Sequence, residues 1–190
     1  MSSLPPFDPV KLALSAPEFS RMVDVRQMSD KPLVLEPDAD ERAALSARFD
    51  IVRIEAMHGE VVCVRDGAAV NATGRLTASI VQPCAISGED LAVAIDEPLV
   101  LRFVPASTLD QLPDEEIELD AHALDEIPYE GTAFDLGEAL AQSLALAIDP
   151  FATGPDADRV RRDFKLDAPE PSGPFAALAA LKRDTPQEDA

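Results

Sequence analysis

The two cysteines and two histidines of this chain are the residues whose side chains could bind a transition metal or act as nucleophiles. They are Cys63, Cys84, His58 and His122. A structural zinc site takes four ligands, or three and a water molecule, and these residues do not have the spacing of zinc ligands. A nucleophilic thiol needs a nearby base, and neither histidine lies in a recognisable catalytic motif. The sequence therefore predicts no metal and no cofactor, and it predicts two reduced, mostly buried thiols, with Cys84 packed at a turn.

Carboxylates are too numerous for any pair of them to identify an acid and a base. The segment from Asp38 to Phe49 has acids at the first and third positions of a calcium loop, but it lacks glycine at the sixth and glutamate at the twelfth. The chain has no phosphate-binding glycine loop and no dinucleotide fingerprint. We therefore expect a protein that is not an enzyme. A nuclease that holds magnesium with clustered carboxylates is the enzymatic alternative.

Negative charge is concentrated in one part of the chain. The 190 residues have a formal net charge of −20, and 14 Asp and Glu with no Lys or Arg fall between Phe103 and Asp158. Such a surface repels phosphate backbones and attracts basic proteins. The simpler interpretation is that these carboxylates only keep the protein in solution.

The segment from Asp110 to Glu130 is the candidate site for a basic protein partner, since it carries nine acids. The predicted partner-binding residues are Asp114, Glu115, Glu116, Glu118, Asp120, Asp125 and Glu126. These carboxylates would steer a basic protein towards the chain and pair with its positive charges at the rim of the interface.

Direct RNA binding is a second hypothesis, and it depends on a small basic cluster near the C-terminal end. The candidate RNA contacts are Arg75, Arg159, Arg161, Arg162 and Lys165. Asn71 and Thr73 would have to converge with them. Asp158, Asp163 and Asp167 cancel much of the charge of the cluster, and only Phe164 there could stack on a base.

The elements that would position these residues are mostly strands. Short strands are predicted at residues 20–26 and 32–36, and further strands at 51–57, 61–65, 70–80 and 91–104, the last broken at Pro98. Asp66-Gly67 predicts a two-residue hairpin loop. Even-numbered residues from Val70 to Ile80 form an apolar face, on which Gly74 indicates a bulge or a close backbone approach. A short strand is also predicted around residues 117–119.

Two helices have clear starts. Asp38 with Glu41, and Asp135 with Glu138, have the spacing of a capping box, and the second helix carries apolar residues at every fourth position from Leu136 to Ile148. The predicted fold class is α+β, with an antiparallel curved sheet or partly open barrel of five to seven strands and two or three helices. The predicted organisation is an extended N-terminal arm (1–18), an α+β domain (19–150), a polar linker (151–172), a short docking helix (173–183) and a disordered tail (184–190).

The order of several sequence segments is similar to that of the YceD family, the large ribosomal RNA subunit accumulation proteins. These segments are "VQPC", "LVLRFVP", "DEEIELD", "FDLGEALAQSLALAIDPF" and "GPFAALAALK", spread over about residues 20 to 183. The resemblance implies a bacterial cytoplasmic factor that supports accumulation of the large-subunit (23S) ribosomal RNA, with no known reaction. The chain has neither a signal-peptide pattern nor an apolar run of membrane-spanning length, as a cytoplasmic protein should.

The resemblance also concerns Cys84. Many family members carry Cys-x-x-Cys at the bend between these strands, and the matching positions here are Val81 to Cys84. The first cysteine is therefore absent in this chain. The oligomeric state and the identity of the partner are left open by the sequence.

Overall fold

The computed structural model describes residues 17–29, 31–109 and 126–166. The strands are β1 (Met22–Asp24), β2 (Leu33–Leu35), β3 (Arg53–Asp66), β4 (Ala69–Pro83), β5 (Asp90–Pro105), β6 (Glu126–Tyr129) and β7 (Ala133–Asp135). The helices are α1 (Ala39–Arg48), the short α2 (Ala106–Leu109), α3 (Leu136–Ala147) and α4 (Ala157–Phe164). The predicted strand at 117–119, the docking helix, the tail and residues 1–16 of the arm lie outside the described residues.

Five strands form one open, curved sheet in the order β2-β3-β4-β5-β6, and β1 pairs with β7 in a separate two-stranded sheet. This confirms the predicted α+β class. One pairing differs from the prediction, because β6 runs parallel to β5 and the rest are antiparallel. A parallel neighbour needs a long crossover, and residues 106–125 supply it.

The central hairpin of β3 and β4 is longer and more continuous than the sequence predicts. β3 runs unbroken through His58 and Gly59, because β4 pairs with it along its whole length. A Cβ atom at Gly59 would overlap the end of the Leu140 side chain of α3, so any larger residue there requires this buried leucine to move. The two-residue loop is Gly67-Ala68, one position later than predicted, and Gly67 has a φ of 63°, a conformation that glycine adopts at little cost.

The prediction for Pro98 was wrong. β5 continues through this residue from Asp90 to Pro105. β6 pairs with β5 only from Arg102 onwards, so one edge of β5 at Pro98 has no described strand beside it, a place where a strand tolerates proline.

One face of the sheet is buried against α1 and α3, as the alternation in β4 predicts. Val70, Ala72 and Leu76 are fully buried, and so are Leu140 and Leu144 of α3. Gly74 marks a close backbone approach, since a Cβ atom there would lie 2.8 Å from Val61 Cα. The bulge is elsewhere, in β3 between Ile54 and Ala56.

The two predicted capping boxes differ in the structure. At α1 both halves form, since Asp38 accepts from the Glu41 N–H and Glu41 accepts from the Asp38 N–H. At α3 Asp135 accepts from the Glu138 N–H at 3.1 Å, from Ser20 Oγ at 2.5 Å and from the Arg21 N–H at 2.8 Å. The reciprocal half does not form, because the Glu138 carboxylate binds Arg48 instead.

The segment predicted as a polar linker contains the helix α4. Its prolines at 155, 169 and 171 all lie outside residues 157–164, so none of them interrupts the helix. Ion pairs three and four residues apart stabilise it: Arg159 with Asp156 and Asp163, and Arg161 with Asp158. Ala157 at its start is buried.

Candidate functional site

The structure fixes the point at which the acidic segment returns to the sheet. Of the seven predicted partner-binding residues only Glu126 is described; Asp114, Glu115, Glu116, Glu118, Asp120 and Asp125 lie outside the described residues. Glu126 begins β6 and is the register partner of Arg102 in β5. The acidic segment therefore joins the sheet at the end that carries the β3–β4 loop.

A polar network holds this end of the sheet together. Arg102 donates to Asn71 Oδ1 at 2.8 Å and to Asp66 Oδ2 at 3.1 Å, and its Nε lies 3.4 Å from Glu126 Oε1. The Tyr129 hydroxyl donates to the Ala68 carbonyl at 2.7 Å, which ties β6 to the hairpin loop. One cation of this network thus lies between two carboxylates, and the neighbouring Arg65 donates to the Gly67 carbonyl of the loop at 2.8 Å.

A cleft of about 460 Å³ lies between β6 and α3 at the same end. Its polar lining includes the carboxylates of Glu126, Asp135 and Glu138, and its apolar lining includes Phe103 and Phe134. These two rings stack with their centroids 4.1 Å apart. Both rings are almost fully buried, and the carboxylates of Asp135 and Glu138 already accept hydrogen bonds from within the chain.

The polar face of β4 is occupied by internal contacts. Asn71 accepts from Arg102, and Arg75 forms two hydrogen bonds to Asp96 at 2.5 and 2.6 Å. Arg75 lowers the pKa of Asp96 below its ordinary value. Thr73, between them on this face, is exposed.

The structure does not bring Arg75 together with the basic cluster of α4. The Gly154 N–H, three residues before α4, contacts Cys84 Sγ just past the end of β4. Arg75 lies nine residues earlier in that strand, which is about 30 Å in extended chain. In the cluster, Arg159 and Arg161 are paired with aspartates, whereas Arg162 and Lys165 form no ion pair with a described carboxylate.

Carboxylates outnumber basic groups over the described residues, which contain 22 Asp and Glu and 13 Lys and Arg. The difference gives these residues a net charge of −9. Eight of the 13 basic residues form ion pairs: Arg21, Arg26, Arg48, Arg53, Arg75, Arg102, Arg159 and Arg161. The other five, Lys31, Arg42, Arg65, Arg162 and Lys165, form no ion pair with a described carboxylate.

Cys84 is buried at the turn after β4, as predicted, but with contacts that the sequence did not reveal. Its sulfur accepts from the Gly154 N–H at 3.3 Å and from the Ser87 N–H at 3.4 Å. These donors, Gly154 first, lower the pKa of Cys84 from its ordinary 9.0 to about 6. Burial raises the pKa of Cys63 to about 11, and both thiols are unpaired.

The residues around Cys84 do not fit the metal site that a Cys-x-x-Cys pair would suggest. Val81 fills the first position with a buried apolar side chain. No group of three or more His, Cys, Asp and Glu that could hold a metal ion occurs within 17–29, 31–109 and 126–166. His58 Nδ1 lies 2.9 Å from Glu36 Oε1, and His122 is outside these ranges.

Gln82 is a buried polar residue that the sequence analysis missed. Its Nε2 donates to the Asp149 carbonyl at 2.7 Å, and its Oε1 has no hydrogen-bond partner in the described part of the chain. The contact joins β4 to the segment after α3. No local pattern predicts it, because the two residues are 67 positions apart.

Comparison with known proteins gives one match. The family model described as "Large ribosomal RNA subunit accumulation protein YceD" matches residues 72–182, which are 111 of the 190 residues. The match runs from β4 through the acidic segment and α3 to the C-terminal apolar motif, and it confirms the resemblance over that range. No curated protein and no solved structure matches the chain. Among the described residues, no helix is long and apolar enough to cross a membrane.

Proposed function

The chain belongs to the YceD family of large ribosomal RNA subunit accumulation proteins, and from this premise we propose that it acts by binding a basic protein through its acidic surface. The family is involved in accumulation of the large-subunit ribosomal RNA. In this proposal the protein works in the bacterial cytoplasm, is not an enzyme and needs no cofactor. Its partner is a basic ribosomal or RNA-processing protein.

The observation that carries the proposal is the charge of the acidic segment, together with the residue at which it enters the sheet. Residues 110–126 contain eight Asp and Glu and no Lys or Arg. The segment returns to the sheet at Glu126, where Asp66 and Glu126 share Arg102. A concentration of negative charge in one segment speeds encounters with positively charged proteins and disfavours contact with bare RNA.

The pairing of the arginines supports a protein partner over direct RNA binding. An RNA backbone is bound by several cations that are available to replace its counterions. Arg75, Arg159 and Arg161 already have carboxylate partners within the chain. Releasing each arginine to a phosphate would leave an aspartate unpaired beside the RNA.

The test is binding of the purified chain to RNA-free proteins of the large ribosomal subunit and, separately, to naked 23S RNA. The acidic variant combines Asp114→Asn, Glu115→Gln, Glu116→Gln and Glu118→Gln. The control variant removes four carboxylates elsewhere: Glu55→Gln, Glu89→Gln, Asp90→Asn and Asp158→Asn. Both lose four charges, so a general effect of net charge would appear equally in the two.

We expect the wild type to retain at least one basic ribosomal protein, less tightly as the salt concentration rises. The acidic variant should bind that protein at least tenfold more weakly, and the control variant should bind it within about twofold of the wild type. Tight binding of naked 23S RNA without any protein ligand would favour the RNA-binding alternative. Magnesium-dependent cleavage of that RNA by the purified chain would favour a nuclease.

A further inference from the structure

Valine side chains are exposed on the outer face of the five-stranded sheet. In the sheet register Val64 lies next to Asn71, which lies next to Arg102, and in the adjacent row Val62 and Val100 flank Thr73. Val34 of β2 is the register partner of Glu60, beside Val62. Val34, Val64 and Val100 are 61%, 51% and 52% exposed, and Val62 is half-buried. We call these four residues the valine strip.

The described residues leave this face uncovered. Core residues of β4 such as Val70 and Leu76 point to the opposite face, which α1 and α3 cover. Scattered exposed apolar residues are ordinary, but neighbouring ones on one face often mark an interaction site. Val62 and Val64 are adjacent along β3, and Val34 lies diagonally from Val62 across the pairing of β2 with β3. Val100 lies in the same row as Val62, on the far side of the exposed Thr73.

The valine strip borders the acidic end of the sheet. Val100 and Arg102 are two residues apart on the same face, which is about 7 Å along a strand. Arg102 contacts Asp66 and Glu126, and Glu126 is the residue at which the acidic segment enters β6. Glu60 and Asp96 lie in the next rows of the same face. The valine strip is therefore bordered by four carboxylates and by two arginines, Arg75 and Arg102, which pair with three of them. Four negative and two positive charges leave this border with a net charge of −2.

We propose that the valine strip is the apolar centre of the surface that docks the basic protein partner, with the surrounding carboxylates as its rim. This inference rests on the proposed function. Interfaces place apolar anchors at the centre, where water is excluded, and charges at the rim, where they guide association. A second copy of this chain suits the strip less well, because each copy carries a net charge of −20.

The test is a double variant, Val64→Thr with Val100→Thr, in the assay with RNA-free large-subunit proteins. Threonine keeps the β-branched shape and the charge of valine but makes the strip polar. The control is Val52→Thr. Val52 is 46% exposed, and its N–H donates to the Val81 carbonyl of β4. Val81 is ten residues along β4 from Asn71, the register partner of Val64, so Val52 lies about 30 Å from Val64. Thermal unfolding of all three proteins verifies that each is folded.

The dissociation constant of the retained ribosomal protein should rise at least tenfold for the double variant and stay within twofold for Val52→Thr. If the double variant binds unchanged and the acidic variant binds more weakly, the valine strip is not part of the docking surface, and the proposed function still stands. No retained protein with the wild type would overturn both. A wild-type dimer that the double variant converts to a monomer, measured by light scattering, would overturn the inference by assigning the strip to self-association.

Discussion

Replacing Gly74 with alanine tests the close approach of β3 and β4 at the centre of the sheet. The new Cβ would lie 2.8 Å from Val61 Cα and closer still to the Glu60 carbonyl oxygen. Both atoms belong to backbone that is paired on either side, so the strands must separate locally. Overpacking of this kind costs about 3 kcal/mol. Reduced freedom of the unfolded chain returns about 0.7 kcal/mol, which leaves a net loss of about 2 kcal/mol.

A loss of about 2 kcal/mol should lower the melting temperature by about 4–8 °C in a domain of this size. The assay is thermal and urea unfolding followed by circular dichroism. Gly154→Ala is the matched control, because the nearest side-chain atom to a Cβ there is Leu91 Cδ1 at 3.6 Å, an ordinary contact. Equal melting temperatures for Gly74→Ala and Gly154→Ala would refute the close approach.

Two further predictions concern the thiol and the ion pairs. The pKa of Cys84 is about 6 in the folded chain and 9.0 ordinarily, so the folded state is stabilised as the pH rises between these values. The unfolding free energy of the wild type, relative to that of Cys84→Ser, should therefore increase between about pH 6 and pH 9. If urea unfolding shows no pH dependence in this difference, the N–H donors do not stabilise the thiolate. Glu138→Gln should lower the unfolding free energy by about 1 kcal/mol, because Glu138 accepts two hydrogen bonds from Arg48 at 2.8 and 2.9 Å. Glu55→Gln, in the exposed pair with Arg53, should lower it by less than about 0.5 kcal/mol. Equal losses for the two variants in urea unfolding would disprove this difference.

Patterns within a few residues correctly predicted the elements whose formation depends on contacts between residues close in sequence. The alternation from Val70 to Ile80 identified the buried face of β4, because one face of the sheet is packed and the other is wet. The capping box at Asp38 identified the start of α1, because its hydrogen bonds join residues only three positions apart and are therefore visible as a spacing in the sequence.

Contacts between distant residues decided the features that the sequence did not reveal. The pairing with β4 carries β3 through His58 and Gly59, the gap between the predicted strands at 51–57 and 61–65. The parallel position of β6 depends on where the chain returns after the acidic segment. The thiol environment of Cys84 depends on Gly154, 70 residues later, and no spacing rule predicts that contact.

The candidate site was predicted in its charge but not in its apolar centre. The run of acids from Asp110 is visible in the composition alone. The valine strip is not visible in the sequence, because Val64 and Val100 belong to different strands and only the register with β4 places them on the same face in adjacent rows. In the sequence each of these valines is one more apolar residue in an alternating strand.

The most direct test of the central claim is the ratio of large-subunit to small-subunit ribosomal RNA in the cells that produce this protein, with and without it. The deletion strain is complemented with the wild type, with the variant neutralised at Asp114, Glu115, Glu116 and Glu118, or with the four-carboxylate control variant. We predict a selective fall in large-subunit RNA that the wild type and the control restore and the acidic variant does not. An unchanged ratio in the deletion strain would contradict the account.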